Sequence, residues 1–300
     1  MEIINFGSLN LDHVYRVDHF VRPGETMAAA GCQIFCGGKG LNQSIAAARA
    51  GGRVRHAGAV GAGGERLKAA LAESGVDTSL LLESDEQQGH AVIQVSSAGE
   101  NCILLFRGSN FAVTREYIDR VFAQLRPPAF VMLQNEISNL DYIVDRAHAL
   151  GFTAVLNASP IDAALLELDL GKIGWLMVNE IEGEQFTGEH EPEAILAALA
   201  RRSPDMGVVL TLGEQGVVCQ YRGERVSHGI YQVQVADTTA AGDTFSGYFV
   251  ATLARGGTLA EAARTASLAS ALAVSRPGAS PSIPTAHEVA EAAGVLRCTG

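Results

Sequence analysis

Positive charge is scarce in this chain. Its 300 residues carry 22 Lys and Arg against 33 Asp and Glu, a formal net charge of −11. That balance argues against a nucleic-acid or anionic-membrane surface, because both need a basic face. Charged residues of either sign reach only 18% while hydrophobic residues make up 47%, which describes a folded globular protein and not a disordered one. Long apolar runs are also missing: no eighteen consecutive apolar residues occur, so no membrane-spanning helix is expected. The start, Met1-Glu2-Ile3-Ile4-Asn5-Phe6-Gly7, has no basic segment and no long apolar core, so no secretory signal is visible. The five cysteines (Cys32, Cys36, Cys102, Cys219, Cys298) are odd in number and scattered, which fits a reducing cytoplasm. Cys32 and Cys36 lack a second Cys/His pair at zinc-site spacing and read as small apolar residues. The histidines, His13, His56 and His90 among them, form no cluster.

What is present is a strand–helix alternation. Residues 2–7 read as a buried strand, 40–51 as an Ala-rich helix ended by Gly51-Gly52, 54–60 as a strand and 65–74 as a helix stopped by Gly75. Strands at 130–133, 153–156, 175–178 and 208–212 alternate with helices at 139–150, 162–168, 180–186 and 192–202. Helices at 242–255 and 259–274 and one from about 285 complete the chain. The rhythm predicts an α/β, doubly wound, mostly parallel sheet with helices on both faces and a binding site at the carboxyl ends of its strands. Residues 11–36 and 89–107 break the rhythm; the second reads as a hairpin turning at Ala98-Gly99-Glu100-Asn101. Together they suit a small β-sheet that acts as a lid or dimer surface within a single domain spanning 1–300.

The segment Asp237-Thr238-Thr239-Ala240-Ala241-Gly242-Asp243-Thr244 carries the most chemistry. Small residues before a helix leave successive N–H groups open, and the helix adds its positive dipole end, a combination that binds phosphate. Asp243 in that place suits a helix cap; it also suits a base that takes a proton from a hydroxyl attacking the phosphate. Gly37-Gly38-Lys39-Gly40 precedes the first long helix but is not a Walker A loop, since no Ser or Thr follows the lysine. It permits close backbone approach to a ligand, with Lys39 and Asn42 as donors, or it is a turn with a solvated lysine. Asn10 and Asp12 alternate after the first strand, so in an extended segment both face one way, as a vicinal diol requires, although capping is the commoner job for both types. Glu136 adds a carboxylate at the same edge, Asn179-Glu180-Ile181-Glu182 offers oxygens that suit Mg²⁺ through water, and Thr211-Leu212-Gly213-Glu214-Gln215-Gly216 is open enough for a nucleotide. All these clusters fall at predicted strand ends, which points to a two-substrate site.

The order Gly7-Ser8-Leu9-Asn10-Leu11-Asp12, Gly37-Gly38-Lys39-Gly40-Leu41-Asn42-Gln43, Asn179-Glu180-Ile181-Glu182 and Asp237 to Thr244 resembles the PfkB family of sugar kinases, most closely the ribokinases within it. The resemblance covers nearly the whole chain. It implies that Asp243 is the base for the terminal hydroxyl of a pentose such as ribose, and that the N–H groups of Ala240, Ala241 and Gly242 form an anion hole. It implies sugar contacts from Asn10, Asp12, Gly38, Lys39, Asn42 and Glu136, and ATP contacts from Asn179, from Thr211, Leu212, Gly213, Glu214, Gln215 and Gly216, and from Gly242. Glu182 would help position Mg²⁺, and a K⁺ ion would sit at Asp237, Thr239, Ala273, Arg276, Gly278 and Ser282. The lid sheets would pair two subunits. The chain departs from the family pattern at Ala240, where many members carry glycine, at the acidic Glu214-Gln215, and at Leu41 and Cys102 to Phe106 beside the sugar pocket. A kinase for deoxyribose, fructose or a nucleoside, and a non-catalytic sensor on the same scaffold, are the alternative readings.

Overall fold

The computed structural model describes residues 1–299. In chain order its strands are β1 (Glu2–Phe6), β2 (Asn10–Arg16), β3 (Gly31–Gly37), β4 (Arg53–Ala57), β5 (Ala59–Ala62), β6 (Leu82–Gln87) and β7 (His90–Val95). They continue with β8 (Asn101–Phe106), β9 (Ala129–Gln134), β10 (Thr153–Asn157), β11 (Trp175–Asn179), β12 (Gly207–Thr211), β13 (Val217–Tyr221) and β14 (Glu224–His228). The helices are α1 (Lys39–Arg49), α2 (Glu65–Glu73), α3 (Arg115–Ala123), α4 (Leu140–Ala149) and α5 (Ala163–Leu166). They end with α6 (Glu180–Thr187), α7 (Pro192–Arg202), α8 (Ala241–Ala254), α9 (Leu259–Val274) and α10 (Ala286–Ala292).

Eight strands form one sheet in the order β14-β13-β12-β11-β10-β9-β1-β4. Pairings from β4 to β12 are parallel, and β13 and β14 close the edge antiparallel. The central strands are apolar at consecutive positions because both faces are covered. Side chains alternate between two cores: Ile4, Val131, Leu156, Leu176 and Val208 point one way, and Ile3, Met132, Val155, Met177 and Val209 the other. Helices α3, α4, α6 and α7 supply the first core, and α1, α8 and α9 the second.

A four-stranded sheet, β3-β2-β7-β8, stands apart from the main layer and combines the two segments that interrupted the alternation. The predicted strand at 54–60 is in fact two. Gly58 separates β4, in the main sheet, from β5, which pairs with β6 in a two-stranded sheet. Strand β6, helix α3 and the β13–β14 hairpin had no sequence expectation. Residues 82–87, LESDEQ, are polar and largely exposed, so no apolar periodicity marks them.

The site is brought together by the approach of α1 to α8. Both helices are rich in small residues, and a Cβ on Gly247 would lie 2.5 Å from Ala46 Cβ and 2.7 Å from Ala47 N. This close seam sets the first turns of the two helices side by side, so that Asp243 meets Asn42 and Gln43. Gly247→Ala is expected to destabilise the protein by about 1–3 kcal/mol through overpacking. Thermal melting should show the loss as a Tm several degrees lower.

Candidate active site

Each functional side chain stands where a parallel strand or its following helix ends or begins. Asp243 lies in the first turn of α8 and is 8% exposed. It does not cap its helix: the cap position is Ala240, left-handed at φ 61, with no side-chain cap bond. The Asp243 carboxylate instead accepts from Asn42 Nδ2 on Oδ2 and from Gln43 Nε2 on Oδ1, both at 3.0 Å. The cap alternative is thereby removed. At the mouth of α8, Ala241 N–H turns back to Thr238 C=O at 3.3 Å and Thr244 N–H bonds Ala240 C=O at 2.8 Å. Between them the N–H groups of Gly242 and Asp243 have no protein acceptor among the described residues.

An open cleft of about 240 Å³ lies over these groups, lined by Lys39, Glu182, Thr211, Thr238, Gly242 and Asp243 among others. Burial pulls the Lys39 ammonium down, but Asp243, Glu136 and Glu182 together hold it above its ordinary value. It is a charged lysine held among carboxylates at the cleft wall.

The second cluster stands beside the first. Asn10 is buried on β2, and its Oδ1 accepts from Asn110 Nδ2 at 2.7 Å. Asp12 follows two residues later on the same face of β2, as alternation requires. Its carboxyl is pushed up to about 7 by burial and by the nearby charges of Glu136 and Asp243. Glu136 lies just past β9, where its Oε2 accepts from Ser8 Oγ and from the Lys39 N–H at 3.2 Å. Burial raises its carboxyl as well, against the opposing pull of Lys39. Asn42 Oδ1 is buried with no partner among the described residues, an acceptor left open. Gly38 and Gly40 pack close against the Ser8–Asn10 backbone, since a Cβ on Gly40 would stand 2.3 Å from Ser8 N.

The remaining expected residues fall into two further groups. Asn179 and Glu182 form a reciprocal capping box at the start of α6, with Asn179 Oδ1 accepting at 2.8 Å and Glu182 Oε2 at 2.9 Å. One carboxylate oxygen of Glu182 thus has a structural partner, and burial raises its carboxyl. Thr211 ends β12; Gly213, Glu214 and Gln215 form a 3₁₀ turn closed by the Leu212 N–H to Gly216 C=O bond at 2.8 Å. Glu214 and Gln215 are exposed.

Asp237 accepts from Thr239 N–H at 2.9 Å, Thr239 Oγ1 at 2.6 Å and Gly278 N–H at 2.9 Å. Burial would raise its carboxyl, but these bonds hold it below the ordinary range. Of the proposed cation set, then, Asp237, Thr239 and Gly278 are joined directly. The Arg276 side chain turns away to Glu288 at 2.8 Å, Ser282 Oγ donates to Ala279 C=O at 2.8 Å, and Ala273 C=O accepts from Arg276 N–H at 3.1 Å. Any part Arg276 and Ala273 take falls to their main chain, whereas Ser282 Oγ keeps oxygen lone pairs beyond the hydrogen it donates.

Four residues of the site have no role assigned by the sequence. Ser8 and Gln43 stand inside the motifs without one. Gln134, a polar residue closing the apolar strand β9, is a readable signal, whereas Asn110 sits in a short 3₁₀ turn with nothing to mark it.

The pfkB family of carbohydrate kinases matches the chain over residues 2–286. The chain belongs to this family. Ribokinase of Haemophilus influenzae is 37% identical over 295 residues, 95% of this chain and 96% of its own. Among solved structures, ribokinase of Cryptococcus neoformans in complex with ADP aligns with a TM-score of 0.84 at 34% identity, over 97% of this chain and 99% of that one. Ribokinase of Arabidopsis thaliana complexed with ribose and ATP aligns with a TM-score of 0.85 at 28% identity, over 97% of each chain. This pfkB kinase therefore has a fold and a family in which two-substrate phosphoryl transfer is the shared chemistry, as the converging strand ends suggested. Among the described residues, no helix is long and apolar enough to cross a membrane.

Proposed function

We propose that this carbohydrate kinase transfers the γ-phosphoryl group of ATP to the terminal hydroxyl of D-ribose. The observation that carries the reading is Asp243: a nearly buried carboxylate that caps nothing, beside two N–H groups without a protein acceptor at a helix start. Binding alone gains nothing from a carboxylate beside a phosphate site, so its presence disfavours a non-catalytic sensor. A hydroxyl placed on the free side of Asp243 can pass its proton there as the new P–O bond forms. The loose transition state demands little charge on the attacking oxygen beforehand. Charge spreading over the phosphoryl oxygens meets the Gly242 and Asp243 N–H groups, the α8 dipole and the Lys39 ammonium.

Asp12, Asn10, Asn42 and Glu136 offer the mixture of acceptors and donors that a sugar diol needs. The relatives' names support ribose; deoxyribose, which lacks one hydroxyl of that diol, is the principal rival. Asn179 and Thr211 line the cleft, and the turn from Leu212 to Gly216 that follows suits the nucleotide.

Glu182, with one carboxylate oxygen not used in its capping box, fits Mg²⁺ held through water, and that ion would neutralise charge on the ATP phosphates. Asp237, kept ionised by three hydrogen bonds, fits a monovalent cation such as K⁺ that would rigidify the loop leading to α8. The chain would act as one kinase domain with the β3-β2-β7-β8 sheet as its lid. The exposed lid side chains Ile103, Leu104 and Phe106 support pairing of two lids in a homodimer.

A coupled ADP-release assay with ribose, ATP, Mg²⁺ and K⁺ tests the reading, with deoxyribose, fructose and nucleosides run in parallel. Ribose is expected to give the highest kcat/KM, with phosphate on its terminal oxygen by ³¹P NMR. ADP release independent of every sugar in the panel would refute it.

A further inference from the structure

Five buried side chains lead away from Asp243 behind the cleft. Asp243 Oδ1 accepts from Gln43 Nε2 at 3.0 Å, and Gln43 Oε1 accepts from Gln134 Nε2 at 2.7 Å. The same Gln134 nitrogen donates to Asn5 Oδ1 at 2.9 Å. Asn5 Nδ2 donates to Gly40 C=O and to Ser44 Oγ, both at 2.8 Å. Ser44 Oγ lies 2.7 Å from His56 Nδ1, and His56 Nε2 lies 3.1 Å from Gly7 C=O. Asn5, Gln43, Ser44, His56 and Gln134 are all 0% exposed. The amino acids come from β1, α1, β4 and β9, so only the folded sheet assembles them.

The polarity of this chain follows from its ends. A backbone carbonyl can only accept. Gly40 C=O therefore requires the NH₂ end of Asn5, which leaves Asn5 Oδ1 facing Gln134. Gln134 must then present its NH₂, Gln43 must answer with its carbonyl, and the NH₂ of Gln43 is left for Asp243. Gly7 C=O likewise requires a hydrogen on His56 Nε2. His56 Nδ1 then accepts from the Ser44 hydroxyl, whose oxygen is free to accept from Asn5. Every link agrees with both anchors. Turning the Gln134 amide would set oxygen against oxygen at two contacts. Its present orientation leaves only Gln134 Oε1 buried with no partner among the described residues. Independently of this logic, burial pushes the His56 imidazole down to about 4, so it stays neutral, as an accepting Nδ1 requires.

We propose that Asn5, Ser44, His56 and Gln134 are positioning residues for phosphoryl transfer, acting through Gln43 to hold two amide donors against the Asp243 carboxylate. With Asn42 on the other oxygen, each oxygen of the base has one amide partner and keeps a lone pair with which to accept. A Gln43 free to turn could offer its carbonyl instead, which favours the protonated, inactive acid. Asp12, Glu136 and Lys39 also interact with Asp243 through their charges, so the amide polarity works among strong fields. The proposal rests on the reading of Asp243 as the base.

The test compares Gln134→Met and Gln43→Met with the unaltered enzyme. Each should lower kcat roughly 10-fold, the scale of one charge-assisted hydrogen bond. KM for ribose and ATP should stay within a few-fold. The acidic limb of the pH–kcat profile should move to higher pH in both. A fall in kcat without movement of that limb would mark a merely structural role and overturn the proposal. Nitrogen-15 NMR of the unaltered protein supplies a measurement that needs no variant to fold. His56 should carry its hydrogen on Nε2 with Nδ1 accepting, and a hydrogen on Nδ1 would contradict the polarity. If Asp243→Asn retains turnover, the base reading fails; if it is inactive while the limb stays put in Gln134→Met, the relay alone fails.

Discussion

Asp243→Asn is expected to lower kcat by roughly 10²-fold or more, the usual scale for loss of a general base. Sugar affinity should change little, because Asn10, Asp12 and Glu136 remain. The size of the effect follows from geometry. Asp243 is nearly buried, receives one amide on each oxygen and leads the helix that would hold the phosphoryl group. An asparagine there supplies one acceptor where two amide donors converge, so its own NH₂ must face either Asn42 or Gln43. Asp243→Ala, which leaves both amides without a partner, should be equally slow but should melt lower. Steady-state kinetics on both variants, with Tm measured alongside, checks this. Near-normal turnover in either would remove the base assignment.

Asp12→Asn should show two opposite effects. KM for ribose rises roughly 10- to 100-fold, the scale of a lost hydrogen bond to a charged group. The empty protein, in contrast, becomes more stable at alkaline pH. The sign follows from linkage: the folded-state carboxyl is raised from 3.8 to about 7 by burial first and then by Glu136 and Asp243. A raised acid contributes stability that is fully present below its unfolded pKa and is lost as pH rises through the folded one. Between about pH 4 and 7 the native protein thus loses stability that the Asp12→Asn variant would retain. The full shift corresponds to at most about 4 kcal/mol, and water in the open cleft reduces this, so a gain of about 1–2 kcal/mol is expected at pH 8. Thermal melting of both proteins at pH 5 and pH 8 reads it, with the larger difference at the higher pH. A variant less stable than the parent at pH 8 would show that Asp12 is paired in the empty protein and not strained. Stability given up at Asp12 and Glu136 is characteristic of a site shaped for a ligand with hydroxyl donors.

Much of this architecture could be read from local pattern. Alternation of apolar strands and amphipathic helices placed β1, β9, β10, β11 and β12 and their helices to within a few residues, because burial on both faces imposes apolar runs. The lid segments were visible as the places where that rhythm failed. Strand β6 and the edge strand β14 were not, since an edge or exposed strand needs no apolar period; β13, short but buried at Val217 to Cys219, had no expectation either. Within the site, motif residues such as Asn10, Asp12, Lys39 and Asn42 were legible because they sit at strand ends. Two details mislead local reasoning. Asp243 in the first turn of a helix suits a cap, yet Ala240 takes the cap position. Glu182 and Asn179 suit a ligand by their place in the chain, yet they first serve each other in a capping box.

Taken alone, the chain determined its family, its fold class and the types of group available, since these depend on short-range pattern and motif order. What only the tertiary structure decided is who meets whom. The seam of small residues between α1 and α8 brings Gln43 to Asp243 across 200 positions of sequence, and Gln134 joins them from β9. No local pattern encodes the polarity of those amides, because it is set by Gly7 and Gly40 carbonyls that the fold places at the far end of the chain of bonds.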